Sequence, residues 1–404
     1  MKTALVGLEE IEDARRLLDG IAVETLLERS RALSNHVGGE VYAKCENLQR
    51  TGSFKIRGAY NRIARLDEAE KKAGVVAASA GNHAQGVALA ASLAGTTATV
   101  FMPEAASLPK VEACRRYGAE VVLTGAHFGA AFEAAMEYSQ KHGSTFVHPF
   151  DHPHVIAGQG TIGLELLEQT QEIGTIVVPV GGGGLIAGIA AAIKAHRPQV
   201  RIVGVQAAGA AAFPASLAQG RPVKLEKIAT IADGIAADAP GETSLAHVSQ
   251  LVDEIAVVSD EAVAEALVFT AETMKLVLEP AGAAGVAAIL QGVTELRPPI
   301  VVVLSGGNID PLLLLRVIRF GLSSSGRYFA FHTRIPDLPG ELAKLLGLVA
   351  ELGANVVGVE HHREGVAMHI DEVDVALQVE TKGSDHTEKV IGRLGAAGYS
   401  IERL

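Results

Sequence analysis

The sequence predicts an α/β protein built on a mostly parallel, doubly wound sheet, followed by a smaller βαββαβ unit. Strand-like and helix-like segments alternate along most of the chain, and this order requires crossovers between parallel strands. Aromatic residues make up only 4% of the chain and tryptophan is absent, which suits layers where helices approach a sheet closely. The stretch Ser323–Gly326 then separates this long run from a segment with its own pattern.

Length and composition limit the class of protein. At 404 residues the chain is too long for one compact core, so two or three domains are expected. A net charge of −11 without a clustered Lys/Arg face argues against nucleic acid or an anionic membrane as a partner. Cys45 and Cys114 are interpreted as buried free thiols in a reducing compartment. The chain turns acidic soon after Met1 and has no long apolar run, so the expected location is the cytoplasm.

The first unit begins with a helical pattern over residues 8–33, followed by a strand over 39–46 and an apolar, helix-like segment over 59–66. Strands are then predicted at 74–78, 98–102, 120–123, 146–147, 175–180, 201–206 and 300–304. The predicted helices between them lie at 84–93, 110–117, 128–142, 161–172, 185–196 and 260–277.

The C-terminal segment has a different order. It reads as strand 327–333, turn 336–340, helix 341–352, strands 355–360 and 369–380, helix 384–397 and a final strand ending at Leu404. This is the βαββαβ order of a ferredoxin-like sandwich. The sequence therefore predicts a first unit over 1–322 and a second unit over 327–404.

One lysine, Lys55, lies in the stretch Thr51–Gly58 where a predicted strand leads into a helix. A lysine held at such a junction loses solvation, which lowers its pKa and makes the free amine available for a Schiff base. A lone lysine would be interpreted as an ordinary surface residue. The motifs that follow favour the reactive interpretation.

Four glycines, Gly181–Gly184, follow the strand predicted at 175–180 and open a helix. Their backbone N–H groups can point at one anion, and the helix dipole adds to the attraction, so a phosphate site is expected. Residues 182–187 also fit a loose dinucleotide-binding pattern. The next strand ends at Gln206 without a carboxylate to hold a ribose, which counts against a dehydrogenase.

Two further polar loops follow predicted strands. The first, Ser79–His83, suits a carboxylate, and the Asn82 amide could bond a ring hydroxyl; the alternative is a helix N-cap with no ligand. In the second, Ser305–Asn308, the serine hydroxyl could meet a pyridine nitrogen. Because all these loops lie at the carboxyl ends of parallel strands, they should converge on one crevice. The loop 148–154, with three histidines and Asp151, is interpreted as a polar connection and not a metal site, because two prolines interrupt it.

Taken together, the motifs 53–55, 79–83, 181–184 and 305–308 resemble the fold-type II pyridoxal-phosphate enzymes, and among them the threonine ammonia-lyases, over nearly the full chain. The resemblance implies two doubly wound lobes in three αβα layers, with a smaller lobe over about 52–150 inserted in the larger. It implies pyridoxal 5'-phosphate as cofactor and β-elimination of water from L-threonine, giving 2-oxobutanoate and ammonia, with L-serine as a secondary substrate.

The same resemblance implies roles for individual residues. Lys55 would carry the cofactor as a Schiff base and take the α-proton, Phe54 would pack by the ring, and Ser305 would face the ring nitrogen. The cofactor phosphate would lie on Gly181, Gly182, Gly183, Gly184 and Leu185. Asn82 would bond the ring hydroxyl, and the substrate carboxylate would lie on Ser79, Ala80, Gly81, Asn82 and His83. Glu279 would lie near the ring, as a lower-ranked candidate.

Two departures from related enzymes bear on the reaction. Serine racemases that resemble this chain carry a serine where this chain has Ala80, so racemisation should be poor. Relatives with a bound cation use a glutamate where this chain has Gln206 and a polar residue where it has Ala212, so no metal is expected.

In the C-terminal unit, residues 337–342 and 354–356 resemble an ACT domain. ACT domains commonly pair across chains and bind a small amino acid, which implies a homodimer or homotetramer with feedback control by isoleucine or valine. The alternative is a purely structural dimerisation module. For the whole protein, the alternatives are a β-replacement enzyme, separated by product analysis with sulfide, and a silent amino-acid sensor, which would lack a visible cofactor band.

Overall fold

A computed structural model describes residues 5–363 and 371–403. The chain divides into two compact units, Met1–Pro311 and Leu312–Leu404. The division lies at 311/312, earlier than the Ser323–Gly326 stretch, because the helix Pro311–Ser324 continues as far as that stretch. Within the described ranges, none of the helices has the length and apolar character needed to cross a membrane.

The strands are numbered in chain order. They are β1 Leu27–Arg29, β2 Val41–Lys44, β3 Val75–Ala78, β4 Ala98–Met102, β5 Glu120–Leu123, β6 Thr145–Phe146, β7 Thr175–Pro179, β8 Arg201–Ala207, β9 Glu254–Val258, β10 Ile300–Val303, β11 Tyr328–Pro336, β12 Asn355–His362, β13 Glu372–Glu380 and β14 Glu402–Arg403.

The α-helices are numbered in the same way. They are α1 Leu8–Leu17, α2 Arg31–Val37, α3 Lys55–Ile63, α4 Glu68–Ala73, α5 Asn82–Leu93, α6 Leu108–Arg116, α7 Phe128–His142, α8 Pro153–Gln169, α9 Gly184–His196, α10 Phe213–Gln219, α11 Glu242–Leu251, α12 Asp260–Phe269, α13 Pro280–Gln291, α14 Pro311–Ser324, α15 Glu341–Glu351 and α16 Ser384–Ala396.

The first unit contains two sheets. The larger has the order β1-β2-β10-β7-β8-β9, in which only β1 runs antiparallel to its neighbour, and the smaller has the order β5-β4-β3-β6 and is wholly parallel. Helices connect successive parallel strands, as α9 connects β7 to β8. The predicted α/β architecture with two lobes is confirmed.

Small residues let the helices of the larger lobe pack tightly. Helix α9 is buried along its whole apolar length from Gly184 to Ile193. Where it crosses α8, a Cβ added to Gly188 would lie 2.3 Å from the carbonyl oxygen of Ile156, so only glycine is tolerated there. Each fully buried isoleucine or leucine of this core contributes about 1.5–3 kcal/mol. This packing fixes the start of α9 relative to α8.

The second unit is an antiparallel sheet of order β12-β13-β11-β14, combined with α15 and α16. Its core includes Phe331, Leu345, Val375 and Leu394, all fully buried. The predicted βαββαβ order is confirmed. Within the predicted strand 369–380, residues 369 and 370 lie outside the described residues and the observed strand begins at Glu372; Leu404 also lies outside them.

Several predicted boundaries are wrong. The helix predicted over 8–33 ends at Leu17, since Gly20 takes a left-handed backbone with φ of 69° and the Ser30 hydroxyl caps a new helix, α2. The helix predicted from 161 begins at Pro153, where His152 caps the first turn. The helix predicted over 260–277 ends at Phe269 and continues as a π-helical turn. Helices α4, α10, α11, α13 and α14 and strands β1 and β9 were not predicted.

Candidate active site

The lysine segment lies beside the loop that follows β10. Strands β2 and β10 are parallel neighbours, so the segments that leave their carboxyl ends meet. Ser53 pairs with Gly306 in an isolated bridge, and the Phe54 N–H donates to the Ser305 carbonyl oxygen at 3.2 Å. Helix α3 then begins at Lys55. The structure thus brings Phe54, Lys55 and Ser305 together, as the sequence predicts.

Lys55 is partly buried and its amine is held in place. Nζ donates to the Pro149 carbonyl oxygen at 2.9 Å and lies 5.2 Å from the centroid of the Phe54 ring. Burial lowers the pKa of Lys55 from 10.5 to about 8, and the carboxylate of Glu279 partly opposes this shift. This agrees with the lowered pKa predicted from the sequence, and a neutral amine is accessible near physiological pH.

The glycine loop has no room for side chains. A Cβ on Gly182 would lie 2.3 Å from the Phe150 ring, and one on Gly184 would lie 2.5 Å from the Phe150 carbonyl oxygen. Gly183 has a left-handed φ of 100°, and a Cβ there would lie 2.6 Å from the Phe213 ring. The N–H groups in the first turn of α9 have no partner within the helix. The loop is therefore suited to bind an anion through its backbone.

The loop 148–152 joins the lysine to the glycine loop, a role that the interpretation as a polar connection missed. Pro149 accepts from Lys55, and the adjacent Phe150 packs on Gly182. His148 Nδ1 accepts from the N–H of Asp151 at 2.8 Å, and burial lowers the His148 pKa to about 4. Across the part of the chain that the structure describes, no group of three or more His, Cys, Asp or Glu side chains could hold a metal.

Asn82 begins α5 and its side-chain amide is hydrogen-bonded on both sides. Nδ2 donates to Glu279 Oε1 at 2.6 Å, and Oδ1 accepts from Asn308 Nδ2 at 2.8 Å. Glu279 is 3% exposed, and burial followed by the charge of Asp233 raises its pKa to about 7. The structure thus places Asn82 and Glu279 beside Gly306, since a Cβ there would lie 2.2 Å from Glu279 Oε1 and 3.0 Å from Asn82 Nδ2.

The predicted carboxylate loop, 79–83, is built mainly from backbone. Ser79 Oγ accepts from the Gly81 N–H at 3.1 Å, and α5 starts at the next residue. The His83 ring lies 2.8 Å from the Val147 carbonyl oxygen, and burial lowers its pKa to about 3, so the ring is neutral. Any contribution of His83 to anion binding therefore comes from its backbone N–H at the start of α5.

Gln206 lies at the end of β8 and its amide is fully used within the protein. Nε2 donates to the carbonyl oxygens of Val180 and Ala210 at 3.4 and 3.3 Å, and Oε1 accepts from the Phe213 N–H at 2.9 Å. These bonds hold Phe213 against Gly183. Ala212, the second position considered for a cation, is buried.

A buried cluster of four charges was not predicted. Arg57 donates to Glu46 at 2.8 and 2.9 Å and to Glu165 at 2.5 Å, and Lys44 donates to Glu165 at 2.5 Å. Its sequence signal is the pair Lys44 and Glu46 within the predicted strand 39–46, since charges that become buried in a sheet need partners. The cluster anchors the first turn of α3, two residues after Lys55.

An ion pair between two side chains links the lobes. Lys110 Nζ in the smaller lobe lies 2.5 Å from the carboxylate of Asp233 in the larger lobe. Asp233 precedes Gly234 and Ile235, which lie against Glu279 and Gly181 respectively. A separate groove of about 950 Å³, lined by residues such as Glu12, Arg15 and Glu168, contains none of the predicted site residues.

The residues present fit pyridoxal 5'-phosphate. Lys55 supplies an amine of lowered pKa, and residues 181–184 supply a cradle without side chains at the N-terminus of α9, suited to a phosphate dianion. The Asn82 amide suits the ring hydroxyl of the cofactor, and the Ser305 hydroxyl suits its ring nitrogen. A Cβ at position 182, 183 or 184 would lie within 2.6 Å of protein atoms, and one at 181 would be tight, at 3.0 Å from Ile235 Cα, so the cradle is restricted to backbone.

Comparison with known proteins gives consistent matches. The family model described as pyridoxal-phosphate dependent enzyme matches residues 19–306. An L-threonine ammonia-lyase from Thermotoga maritima is 48% identical over 98% of this chain and 99% of its own length. The catabolic L-threonine dehydratase TdcB from Escherichia coli is 42% identical over 76% of this chain and 94% of its own length. The solved structure of threonine deaminase isoform 2 from Solanum lycopersicum, in its processed form, is 37% identical, with a TM-score of 0.74 over 79% of this chain and 91% of that chain.

Proposed function

Because the chain belongs to the family of pyridoxal-phosphate dependent enzymes, we propose that it deaminates L-threonine to 2-oxobutanoate and ammonia, with L-serine as a secondary substrate. The observation that carries this proposal is the partly buried Lys55, whose amine of lowered pKa is joined to the glycine cradle through residues 149 and 150. The similarity of this chain, over nearly its full length, to an L-threonine ammonia-lyase supports the choice of L-threonine as substrate.

The proposal assigns the cofactor to residues around the crevice. Lys55 would bond the aldehyde carbon, Gly181–Gly184 and Leu185 would hold the phosphate, and Asn82 would bond the ring hydroxyl. Phe54 would pack by the ring and Ser305 would face the ring nitrogen. When bound, the cofactor supplies an electron sink for negative charge at the substrate α-carbon.

Lys55 would move the proton in the reaction. Its neutral amine accepts the α-proton of the substrate at Nζ, and the lowered pKa keeps enough of the amine neutral for this task near pH 8. Backbone N–H groups of residues 79–83 orient the substrate carboxylate. Breaking the Cα–H and Cβ–O bonds of threonine releases one water. Hydrolysis of the resulting 2-iminobutanoate consumes one water, and its C=N bond is broken to give 2-oxobutanoate and ammonia.

Steady-state assays on the purified protein test the proposal. The holoenzyme should release 2-oxobutanoate and ammonia in equal amounts from L-threonine, and Lys55→Ala should lose this turnover together with the visible band of the bound cofactor. A wild-type protein that binds the cofactor but leaves threonine and serine unchanged would refute the proposed activity.

Other reactions of the same crevice are separated by their products. A β-replacement enzyme would need a second substrate such as sulfide, whereas elimination needs none. Racemisation should be poor because Ala80 brings no hydroxyl to the loop 79–83. Chiral analysis of unreacted serine measures this directly.

The second unit supports a regulatory role within the proposal. Its βαββαβ sheet has the topology expected of an ACT domain, which would pair across chains of a homodimer or homotetramer and bind isoleucine or valine. Buried free thiols at Cys45 and Cys114 are in keeping with a cytoplasmic enzyme. Threonine saturation measured with and without each effector tests the regulation, and light scattering tests the assembly.

A further inference from the structure

Asn308 is the last residue of the loop Ser305–Asn308 that follows β10, and the hydrogen bonds of its side-chain amide define which way the amide points. Its Nδ2 donates one hydrogen to the Thr51 carbonyl oxygen at 2.7 Å and the other to Asn82 Oδ1 at 2.8 Å. A backbone carbonyl can only accept, so Thr51 requires the nitrogen of Asn308 on its side. The orientation of the Asn308 amide is therefore set by the backbone.

This orientation fixes the next amide. Because Asn308 presents a donor, Asn82 must present Oδ1 to it, which directs Asn82 Nδ2 toward Glu279 at 2.6 Å. Glu279 takes one Nδ2 hydrogen. The other hydrogen remains for a ligand in the crevice.

Two glycines make room for the chain of bonds from Thr51 to Glu279. A Cβ on Gly52, whose φ is 70°, would lie 2.4 Å from Asn308 Oδ1. A Cβ on Gly306 would lie 2.2 Å from Glu279 Oε1. Both motif glycines therefore lie where a side chain would displace one of the amides or the carboxyl group.

We propose that Asn308 is a positioning residue, which holds the Asn82 amide so that its remaining N–H faces the cofactor hydroxyl. This inference rests on the proposed function, which assigns that hydroxyl to Asn82. Asn308 itself acts only through Asn82. A hydrogen bond from Asn82 stabilises the anionic form of the hydroxyl and so lowers the pH at which the bound cofactor titrates.

The near-isosteric variant Asn308→Asp gives the sharpest test. Its carboxylate would present oxygen to both Thr51 and Asn82, so Asn82 would turn and present oxygen to the cofactor. We expect the dissociation constant for pyridoxal 5'-phosphate, measured by equilibrium dialysis, to rise at least about tenfold. The visible band of the bound cofactor should titrate at higher pH than in the wild type. Asn308→Ala removes the same donors without adding charge, and it carries the same expectation if the aspartate variant does not fold.

A double-mutant cycle separates positioning from a purely structural role. On an Asn82→Ala background, Asn308→Asp should change cofactor affinity by less than about twofold, because the residue through which it acts is gone. The matched control is Asn47→Asp: a Cβ on Gly307 of the same loop would lie 3.3 Å from Asn47 Cβ, and Asn47 Nδ2 donates to the Val277 carbonyl oxygen at 3.5 Å. This control should keep wild-type affinity and titration.

Three results would overturn the inference. The first is folded Asn308→Asp with a cofactor dissociation constant within twofold of wild type and an unchanged titration pH. The second is a loss of cofactor affinity from Asn308→Asp that is just as large on the Asn82→Ala background. The third is an equal loss of cofactor affinity in Asn47→Asp. Failure of the proposed function is distinguishable, since wild-type protein would then not bind the cofactor or not turn over threonine.

Discussion

At the residue scale, the electrostatics of Lys55 make a pH-dependent prediction. Burial lowers its pKa from 10.5 to about 8, so the folded protein loses the proton before an exposed lysine would. Only the neutral amine can attack an aldehyde. The rate at which cofactor-free protein gains the visible band should therefore rise with pH and level off above about 8. A rate that keeps rising beyond pH 10 would show that the amine has an ordinary pKa.

Glu279 makes a second prediction, on stability. Burial raises its pKa from 4.5 to about 7, so between these values the folded protein keeps a proton that the unfolded chain has lost. The wild type should therefore lose stability relative to Glu279→Gln as pH rises from about 4.5 to 7, by up to about 3 kcal/mol. Urea unfolding of both cofactor-free proteins at several pH values measures the difference. The exposed change Glu137→Gln is the control, and a pH-independent difference for Glu279→Gln would contradict the expectation.

The sequence could predict which polar loops converge, but not the neighbours that pack against them. Lys55, Asn82, Ser305 and the glycine run were predicted to lie near one another because each lies in a segment that follows a predicted strand, where local pattern is informative. The partners Phe150 and Asn308 reach these groups only through the fold. No spacing along the chain reveals that the residue that packs on Gly182 lies 32 positions earlier.

At the scale of elements, the buried charges anchor helix α3. Arg57→Met would leave the carboxylates of Glu46 and Glu165 buried without their main partner, at an expected cost of about 3–5 kcal/mol. The matched change Arg115→Met breaks an exposed pair with Glu112 and should cost less than about 1 kcal/mol. Urea unfolding compares the two, and equal losses would mean that the buried cluster has no special role.

The glycine loop gives a prediction with its own control. Gly182→Ala would drive a methyl group into the Phe150 ring, so it should lower cofactor affinity by at least about tenfold and lower stability by about 1–3 kcal/mol. Gly347 lies in helix α15 with nothing within 4 Å of an added Cβ, so Gly347→Ala should stabilise the protein by about 0.5–1 kcal/mol. Dialysis and thermal unfolding measure these effects, and an unchanged cofactor affinity in Gly182→Ala would contradict the first.

Element types were easier to predict than element ends. The strand Ala98–Met102 and the helix Phe128–His142 match their predictions at both ends, since turn residues bound clear apolar patterns. Helix α13 was missed because it is buried on nearly every side and shows no amphipathic periodicity. Helix α8 was shortened because its proline was interpreted as a break, whereas proline is well suited to the first turn.

At the scale of the whole molecule, the two compact units suggest separable tasks. If the second unit binds an effector, isoleucine or valine should change threonine saturation of the full chain by at least about fivefold, a usual size for such coupling. A chain ending at Leu322 should keep turnover and lose this response. An unchanged response after truncation, or none in the full chain, would leave the second unit a structural module.

The packing of Phe150 on Gly182 and Gly184 also has an evolutionary consequence. Since the aromatic ring occupies the volume that a side chain at 182 would need, this position cannot diversify independently of position 150, whereas position 184 faces the backbone of residue 150 and excludes a side chain whatever residue stands there. A homologue with alanine at 182 should carry a smaller residue at 150, and Phe150→Leu should partly rescue Gly182→Ala. Substitution patterns among natural relatives would then record this shared volume as paired changes.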